Sequence, residues 1–171
     1  MRIYLTGFMG SGKSTVGRLL AARLGVAFVD LDEEIERQAG LRVREIFAEH
    51  GEPVFRRLER EALEATARLP EAVIATGGGT VTFEANARWI REHGFTVWLN
   101  PAFATLAARV GGLGKEDRPL FQDETQALAL YRERLPAYRR ADLIIDMAPK
   151  EGPEEIAARI SLRLGERRCA I

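Results

Sequence analysis

The sequence predicts an α/β fold in which helices cover both faces of a doubly wound parallel sheet. Three observations predict it. Five short apolar runs alternate with longer segments of helical period. Each run is continuous rather than alternating, as expected of strands buried on both faces. The first run leads into Gly7-Phe8-Met9-Gly10-Ser11-Gly12-Lys13-Ser14-Thr15, which fits G-x-x-x-x-G-K-[ST] at every fixed position and opens a helix.

In chain order, the first strand is expected over Arg2–Thr6 and the first helix over Lys13–Leu24, closed by Gly25. A second strand, Ala27–Asp30, precedes helices over Glu33–Ala39 and Val43–His50, with Gly40 and Gly51 just past their ends. Pro53 stands near the start of a long helix over Val54–Arg68. A third strand over Val73–Ala75 is followed by a helix over Glu84–Glu92 with Gly94 beyond it. The fourth strand is expected over Thr96–Leu99, and Pro101 introduces a helix over Ala102–Arg109. A helix over Thr125–Arg134, a strand over Leu143–Asp146 and a helix over Glu154–Leu164, introduced by Pro153, complete the set. This order reads as a sheet with right-handed crossovers.

Composition narrows the class. A chain of 171 residues is expected to form a single domain over 1–171 with a sizeable core. Its 25 basic and 25 acidic residues cancel, so no global field draws it to nucleic acid or an anionic membrane. No apolar run is long enough to cross a bilayer, and Met1-Arg2 leads straight into a strand rather than a signal peptide. Cys169, the single cysteine, has no internal partner, which points to a reducing, cytoplasmic home. No Cys/His cluster suggests zinc.

The nine-residue motif places Gly10, Ser11, Gly12, Lys13, Ser14 and Thr15 at a nucleotide's phosphates. Glycines let main-chain N–H groups turn inward around phosphate oxygens, and the helix N-terminus adds positive charge. Lys13 is expected at the outer phosphates and Ser14 at Mg²⁺. Asp30 and Asp32, two apart at a strand's carboxyl end, share one face if the strand continues through both. One would assist the metal and the other would orient or deprotonate an attacking hydroxyl. Asp32 is equally placed to cap the helix that follows it. Gly77-Gly78-Gly79 ends the third strand where phosphate-binding folds commonly carry a metal-binding aspartate. Three residues without Cβ favour a ligand-facing loop over a plain turn, and the missing aspartate shifts metal binding toward Ser14 and Asp30. Gly111–Pro119 is glycine-rich and charged, either an ordinary loop or a lid carrying Arg118 over the phosphates. Arg56 and Arg139 are candidates for anion recognition, as are Arg57, Arg60 and Arg140, although from sequence alone each reads first as a solvated surface charge. Val43 and Phe47 share a helix face, which ordinarily means core packing. His50 and His93 fall near helix C-termini, where capping is their expected part.

With these motifs placed, the chain resembles the shikimate kinases over nearly its whole length. The resemblance rests on the phosphate loop, Asp30-x-Asp32, Phe55-Arg56-Arg57-x-Glu59, the triple glycine, Arg118-Pro119-Leu120 and Tyr138-Arg139-Arg140, in that order. It implies a five-stranded parallel sheet of the P-loop kinase type, substrate-binding helices over about 32–68 and a lid over about 111–124. It implies transfer of the γ-phosphoryl of ATP to the 3-hydroxyl of shikimate, a step of chorismate and aromatic amino-acid biosynthesis, with one Mg²⁺ carried by ATP. Asp32 would bind the shikimate hydroxyls and assist the attacking one; Arg56 and Arg139 would grip the carboxylate. Gly78 and Gly79 would offer main-chain N–H groups, and Val43, Phe47 and Phe55 would form the apolar wall. Asp30 would assist Mg²⁺ through water beside Ser14. Lys13 and Arg118 would neutralise the transferring phosphoryl, with Arg109 and Pro153 on either side of the adenine. The expected partners are ATP and shikimate, with no nucleic acid, no membrane and a monomeric state. A gluconate kinase shares the need for hydroxyl and carboxylate recognition, and a nucleoside monophosphate kinase shares the phosphate loop. A nucleotide switch that recruits a partner usually keeps the strand-end aspartate that is missing here.

Overall fold

The computed structural model describes residues 1–111 and 123–168. Five strands, β1 (Arg2–Thr6), β2 (Ala27–Asp30), β3 (Ala72–Ala75), β4 (Phe95–Pro101) and β5 (Leu143–Met147), form one sheet in the order β2-β3-β1-β4-β5. All its pairings are parallel, with Leu5 of β1 opposite Ala75 of β3 and Val97 of β4. The chain leaves β1 toward β2, and later leaves β3 in the opposite direction toward β4. The carboxyl ends of β1 and β3 therefore border the crevice where open α/β sheets bind ligands.

Residue alternation along the strands explains why they read as continuous apolar runs. Ile3, Leu5, Val73, Val97 and Leu99 face α1 (Lys13–Leu24) and α8 (Pro153–Arg168), packing with Val16, Leu20, Ile156 and Ile160. Tyr4, Ile74 and Trp98 face the other way. They pack with side chains of α2 (Leu31–Ala39), α3 (Val43–His50), α4 (Glu52–Ala65) and α5 (Glu84–His93), and with those of α6 (Phe103–Gly111) and α7 (Glu124–Tyr138). Both faces are thus buried, which a two-residue period cannot reveal. Among the described residues no helix is long and apolar enough to cross a membrane.

Several boundaries differ from expectation for identifiable reasons. Helix α2 begins at Leu31 rather than Glu33, because the Asp30 carboxylate accepts from Asp32 N at 3.0 Å and Glu33 N at 3.4 Å. Asp30 is therefore the cap, and Asp32 lies in the helix's first turn instead of sharing a strand face with it. Helix α7 runs past the expected end at Arg134 to Tyr138, with Pro136 inside it. That extra turn carries Tyr138 onto the same face as Arg134. Helix α4 starts earlier, at Glu52, and ends at Ala65, with a 3₁₀ turn over Thr66–Arg68 replacing its expected last turn.

One close approach tests the packing. Gly94, between α5 and β4, leaves no room for a methyl group. A Cβ there would lie 2.5 Å from Tyr4 Cε2 and 2.6 Å from Arg2 O. Tyr4 is fully buried and its hydroxyl pairs with Thr66 Oγ1 at 2.9 Å, so the ring has nowhere to move. Gly94→Ala is expected to lower stability by about 1–3 kcal/mol, read as a reduced urea midpoint at unchanged slope.

Candidate active site

The phosphate loop is shaped by glycines that no other residue replaces. Gly7 has φ 143°, and a Cβ on it would lie 2.7 Å from Leu99 O, so the loop sits directly against β4. Gly12 caps α1 at φ 91° and brings no side chain to the helix end, which leaves the first N–H groups of α1 available to an anion. The Ser11 hydroxyl is enclosed in the loop with no hydrogen-bond partner among the described residues. Lys13 Nζ folds back on the loop, donating to Gly7 O at 2.9 Å and Phe8 O at 3.1 Å. Ser14 Oγ donates to Asp30 Oδ2 at 2.5 Å. Arg109 Nη1 donates to Gly10 O at 3.0 Å from the end of α6.

A cavity of about 780 Å³ extends from this loop, with Thr15 and Val16 in its wall. Met147, Pro153 and Ile156 line it from the β5–α8 side, and Val43, Phe47 and Phe55 from the α3–α4 side. Both readings of Val43 and Phe47 hold. They pack on the core, with the Phe47 and Phe55 rings 4.7 Å apart, and they also face the cavity.

Beside the loop, the turn after β3 brings charges together. A Cβ on Gly77 would lie 2.8 Å from Glu59 Oε1 and 3.3 Å from Asp32 Oδ1. On Gly79 it would lie 2.9 Å from Arg56 Nη2 and 3.3 Å from Arg134 Nη2, and on Gly78 it would lie 3.1 Å from Arg134 Nη1. Two guanidinium groups and two carboxylates therefore surround main chain that carries no side chains. Glu59 is fully buried; it accepts from Thr80 Oγ1 at 2.6 Å and from Arg56 Nη1 at 2.9 Å. Tyr138 donates its hydroxyl to Gly78 O at 2.6 Å, and burial pushes that phenol up to about 12.

Asp32 is the unsettled charge of the group. Its Oδ1 is enclosed and has no hydrogen-bond partner among the described residues. Burial first, then the negative charges of Asp30 and Glu59, push its pKa up to about 6 against the pull of Lys13. A carboxylate enclosed this way is suited to take a proton or a hydroxyl hydrogen bond near neutral pH.

The structure brings together most of the residues singled out from sequence. Gly10 to Thr15, Asp30, Asp32, Val43, Phe47, Phe55, Arg56, Gly78, Gly79, Arg109 and Pro153 all line the one cavity. Arg118 and the expected lid lie outside the described residues. Arg139 is a correction. It caps the C-terminal end of α7, is exposed, and lines no part of the cavity, whereas Arg134 is buried and does. The Tyr138-Arg139-Arg140 motif drew attention to the wrong arginine. The usable signal was the four-residue spacing of Arg134 and Tyr138, legible only to a reader who let α7 continue through Pro136. Glu59 stood in a quoted motif without a role, although an acidic residue three places after Arg56 on a helix is placed to pair with it.

Comparison with known proteins agrees with this geometry. The shikimate kinase family matches residues 9–164. A shikimate kinase of Moorella thermoacetica is 47% identical over 151 residues, covering 87% of this chain and 86% of that protein. The structure of shikimate kinase from Acinetobacter baumannii in complex with shikimate superposes with a TM-score of 0.90 at 36% identity, over 97% of this chain and 93% of that one. Deoxyadenosine kinase from M. mycoides, at 12% identity over 96% of this chain and all of that one, shares the fold alone with a TM-score of 0.64. The chain belongs to the shikimate kinase family.

Proposed function

We propose that this chain transfers the γ-phosphoryl group of ATP to the 3-hydroxyl of shikimate, giving shikimate 3-phosphate and ADP. One observation carries the reading: a single cavity joins a phosphate cradle to a chamber holding Arg56, Arg134 and the unpartnered Asp32 carboxylate. A hydroxylated carboxylic acid supplies what that chamber lacks among the described residues, an anion for the Arg134 guanidinium beside Arg56 and a hydroxyl for Asp32. The acid's carboxylate binds Arg56 and Arg134, and its ring lies against Val43, Phe47 and Phe55. Asp32 hydrogen-bonds the attacking hydroxyl and receives its proton as the new O–P bond forms and the bond to the β,γ-bridging oxygen breaks. Lys13 leaves the loop carbonyls for the outer phosphates. Gly10 to Thr15 hold the phosphate chain in line with the attacking oxygen, and catalysis comes from positioning and charge neutralisation. Arg109 and Pro153 border the space for the adenine.

The Ser14 hydroxyl and Asp30 carboxylate form a hard oxygen pair beside the phosphate cradle, which suits an ion that keeps most of its waters. They would hold Mg²⁺ brought with ATP, directly through Ser14 and through water at Asp30. The ion would offset charge on the phosphate oxygens. The protein is further proposed to act as a monomer in the cytoplasm.

Substrate profiling tests the reading. ADP release with Mg·ATP is expected with shikimate and not with gluconate, AMP or CMP; turnover of another of these acids or nucleotides with none of shikimate would overturn it. Arg134→Ala is expected to raise the KM for shikimate at least tenfold, as loss of a shielded charge-assisted bond requires, and to leave the KM for ATP unchanged. Arg139→Ala is expected to leave both within about twofold, because an exposed charge outside the cavity contributes little.

Asp32 should trade stability for turnover. Its folded pKa of about 6 lies above the ordinary 3.8, so the folded state holds the proton more tightly. Its favourable contribution is complete below pH 3.8 and is lost as the pH rises through about 6, where the ionised carboxylate opposes folding. Asp32→Asn is therefore expected to stabilise the metal-free protein at pH 8 by on the order of 1–2 kcal/mol while lowering kcat by about 10²–10⁴-fold. Thermal melts at pH 4 and pH 8 with single-turnover assays check both, the stability gain being expected only at pH 8.

A further inference from the structure

We infer that Phe83 is a positioning residue for acid-substrate binding, acting by holding the Arg56 guanidinium toward the cavity. The inference rests on the reading of Arg56 as a carboxylate-binding group. The guanidinium carbon of Arg56 lies 4.9 Å from the centre of the Phe83 ring and 5.1 Å from that of Phe55. Both distances are within the range at which an aromatic face attracts a cation. Phe55 belongs to the same helix and lines the cavity, so its place is explained by the apolar wall. Phe83 has no such explanation. It is 42% exposed, it does not line the cavity, and it stands between the triple-glycine turn and α5.

The backbone around Phe83 is fixed by the same groups that fix Arg56. Thr82 N and Oγ1 both donate to Gly79 O, at 3.0 and 2.6 Å. Thr80 Oγ1 donates to Glu59, and Asn86 Nδ2 donates to Thr80 O at 3.2 Å. Ala87 N donates to Phe83 O at 3.0 Å, tying the residue to the first turn of α5. Glu59 thus anchors Arg56 through one oxygen and the turn that presents Phe83 through the other.

The pairings of Arg56 show why a further restraint matters. Nη1 bonds the fully buried Glu59, whereas Nε and Nη2 bond Oε1 of Glu52 at 3.1 and 3.0 Å, on a side chain that is 49% exposed. An arginine shared between a buried and an exposed carboxylate can follow the exposed one outward, and water competes for that pair. The ring of Phe83, 42% exposed, packs against the guanidinium and restricts its plane. The fork is then already oriented when a carboxylate arrives, and less rotamer freedom is lost on binding.

Steady-state kinetics of Phe83→Ala, Phe83→Leu and Phe83→Trp test this, with Arg56→Ala and the Arg56→Ala/Phe83→Ala pair as reference. Phe83→Ala is expected to raise the KM for shikimate about fivefold, the size of one partly shielded cation–π contact, with the KM for ATP and kcat within twofold. Phe83→Trp should restore the KM, and Phe83→Leu, which covers without a ring, should not. In the Arg56→Ala background the Phe83 substitution should add nothing. A shikimate KM unchanged in Phe83→Ala, while Arg56→Ala raises it, overturns the inference and leaves the carboxylate-binding reading of Arg56 standing. An equal rise in Phe83→Ala with or without Arg56 also overturns it. A KM unchanged in Arg56→Ala overturns the reading of Arg56 and this inference together.

Discussion

Two carboxylates and two guanidinium groups meet at the end of β3 because the chain there carries no Cβ atoms. Any side chain on Gly77 would strike Glu59, and any on Gly79 would strike Arg56. The turn is therefore a space-making device as well as a source of main-chain N–H groups. Its charges are not left to solvent: Glu59 is satisfied by Thr80 and Arg56, and Arg134 lies 5.8 Å from the ring of Phe8. Phe8 belongs to the phosphate loop and is itself buried in the core. A residue at a variable position of the loop motif thus backs an arginine of the acceptor chamber, joining the two halves of the cavity through one contact.

This arrangement asks the fold to enclose charge, which is unfavourable unless each group is paired. Glu59 and Arg56 pair with each other, whereas Arg134 meets the Phe8 ring and Asp32 Oδ1 has no hydrogen-bond partner among the described residues. Burial and the negative charges of Asp30 and Glu59 oppose ionisation of Asp32. The surrounding packing absorbs that opposition. The sheet is buried on both faces by α1 and α8 on one side and the remaining helices on the other.

The architecture was readable because its signals are local. A continuous apolar run, a glycine after a helix and the phosphate-loop motif each concern a few neighbouring residues, and all five strands lie where such runs fall. The half of the site built by the loop was readable for the same reason: Gly10 to Thr15 are adjacent in sequence and in space. The acceptor half comes from α2, α4, the turn after β3 and α7, so it depends on which face of each helix turns inward. The period at Val43 and Phe47 indicated a buried face, but their place with Phe55 in a cavity wall was implied only by the family resemblance. In α7, the Tyr138-Arg139-Arg140 motif drew attention to Arg139, while the helix was ended at Arg134 and its inward face was left unread. The cap at Asp30 was missed in the same way, because two carboxylates two residues apart look interchangeable until one of them receives the N–H groups of the helix.

The resting position of Lys13 connects these features to turnover. Its ammonium group donates to the carbonyls of Gly7 and Phe8. A phosphate oxygen bears a full negative charge, so it adds a coulombic attraction for the ammonium that a neutral carbonyl lacks. In the proposed reaction a triphosphate draws Lys13 off the loop. Among the described residues, Lys13 is also the positive group that lowers the proton affinity of Asp32. Once it has turned to the phosphates, its pull on Asp32 is partly spent on them, and whatever phosphate charge remains unneutralised acts on Asp32 in the opposite direction. Both changes raise the affinity of that carboxylate for a proton. In the proposed reaction, a nucleotide that takes up Lys13 would therefore leave Asp32 with a higher affinity for the proton of the attacking hydroxyl.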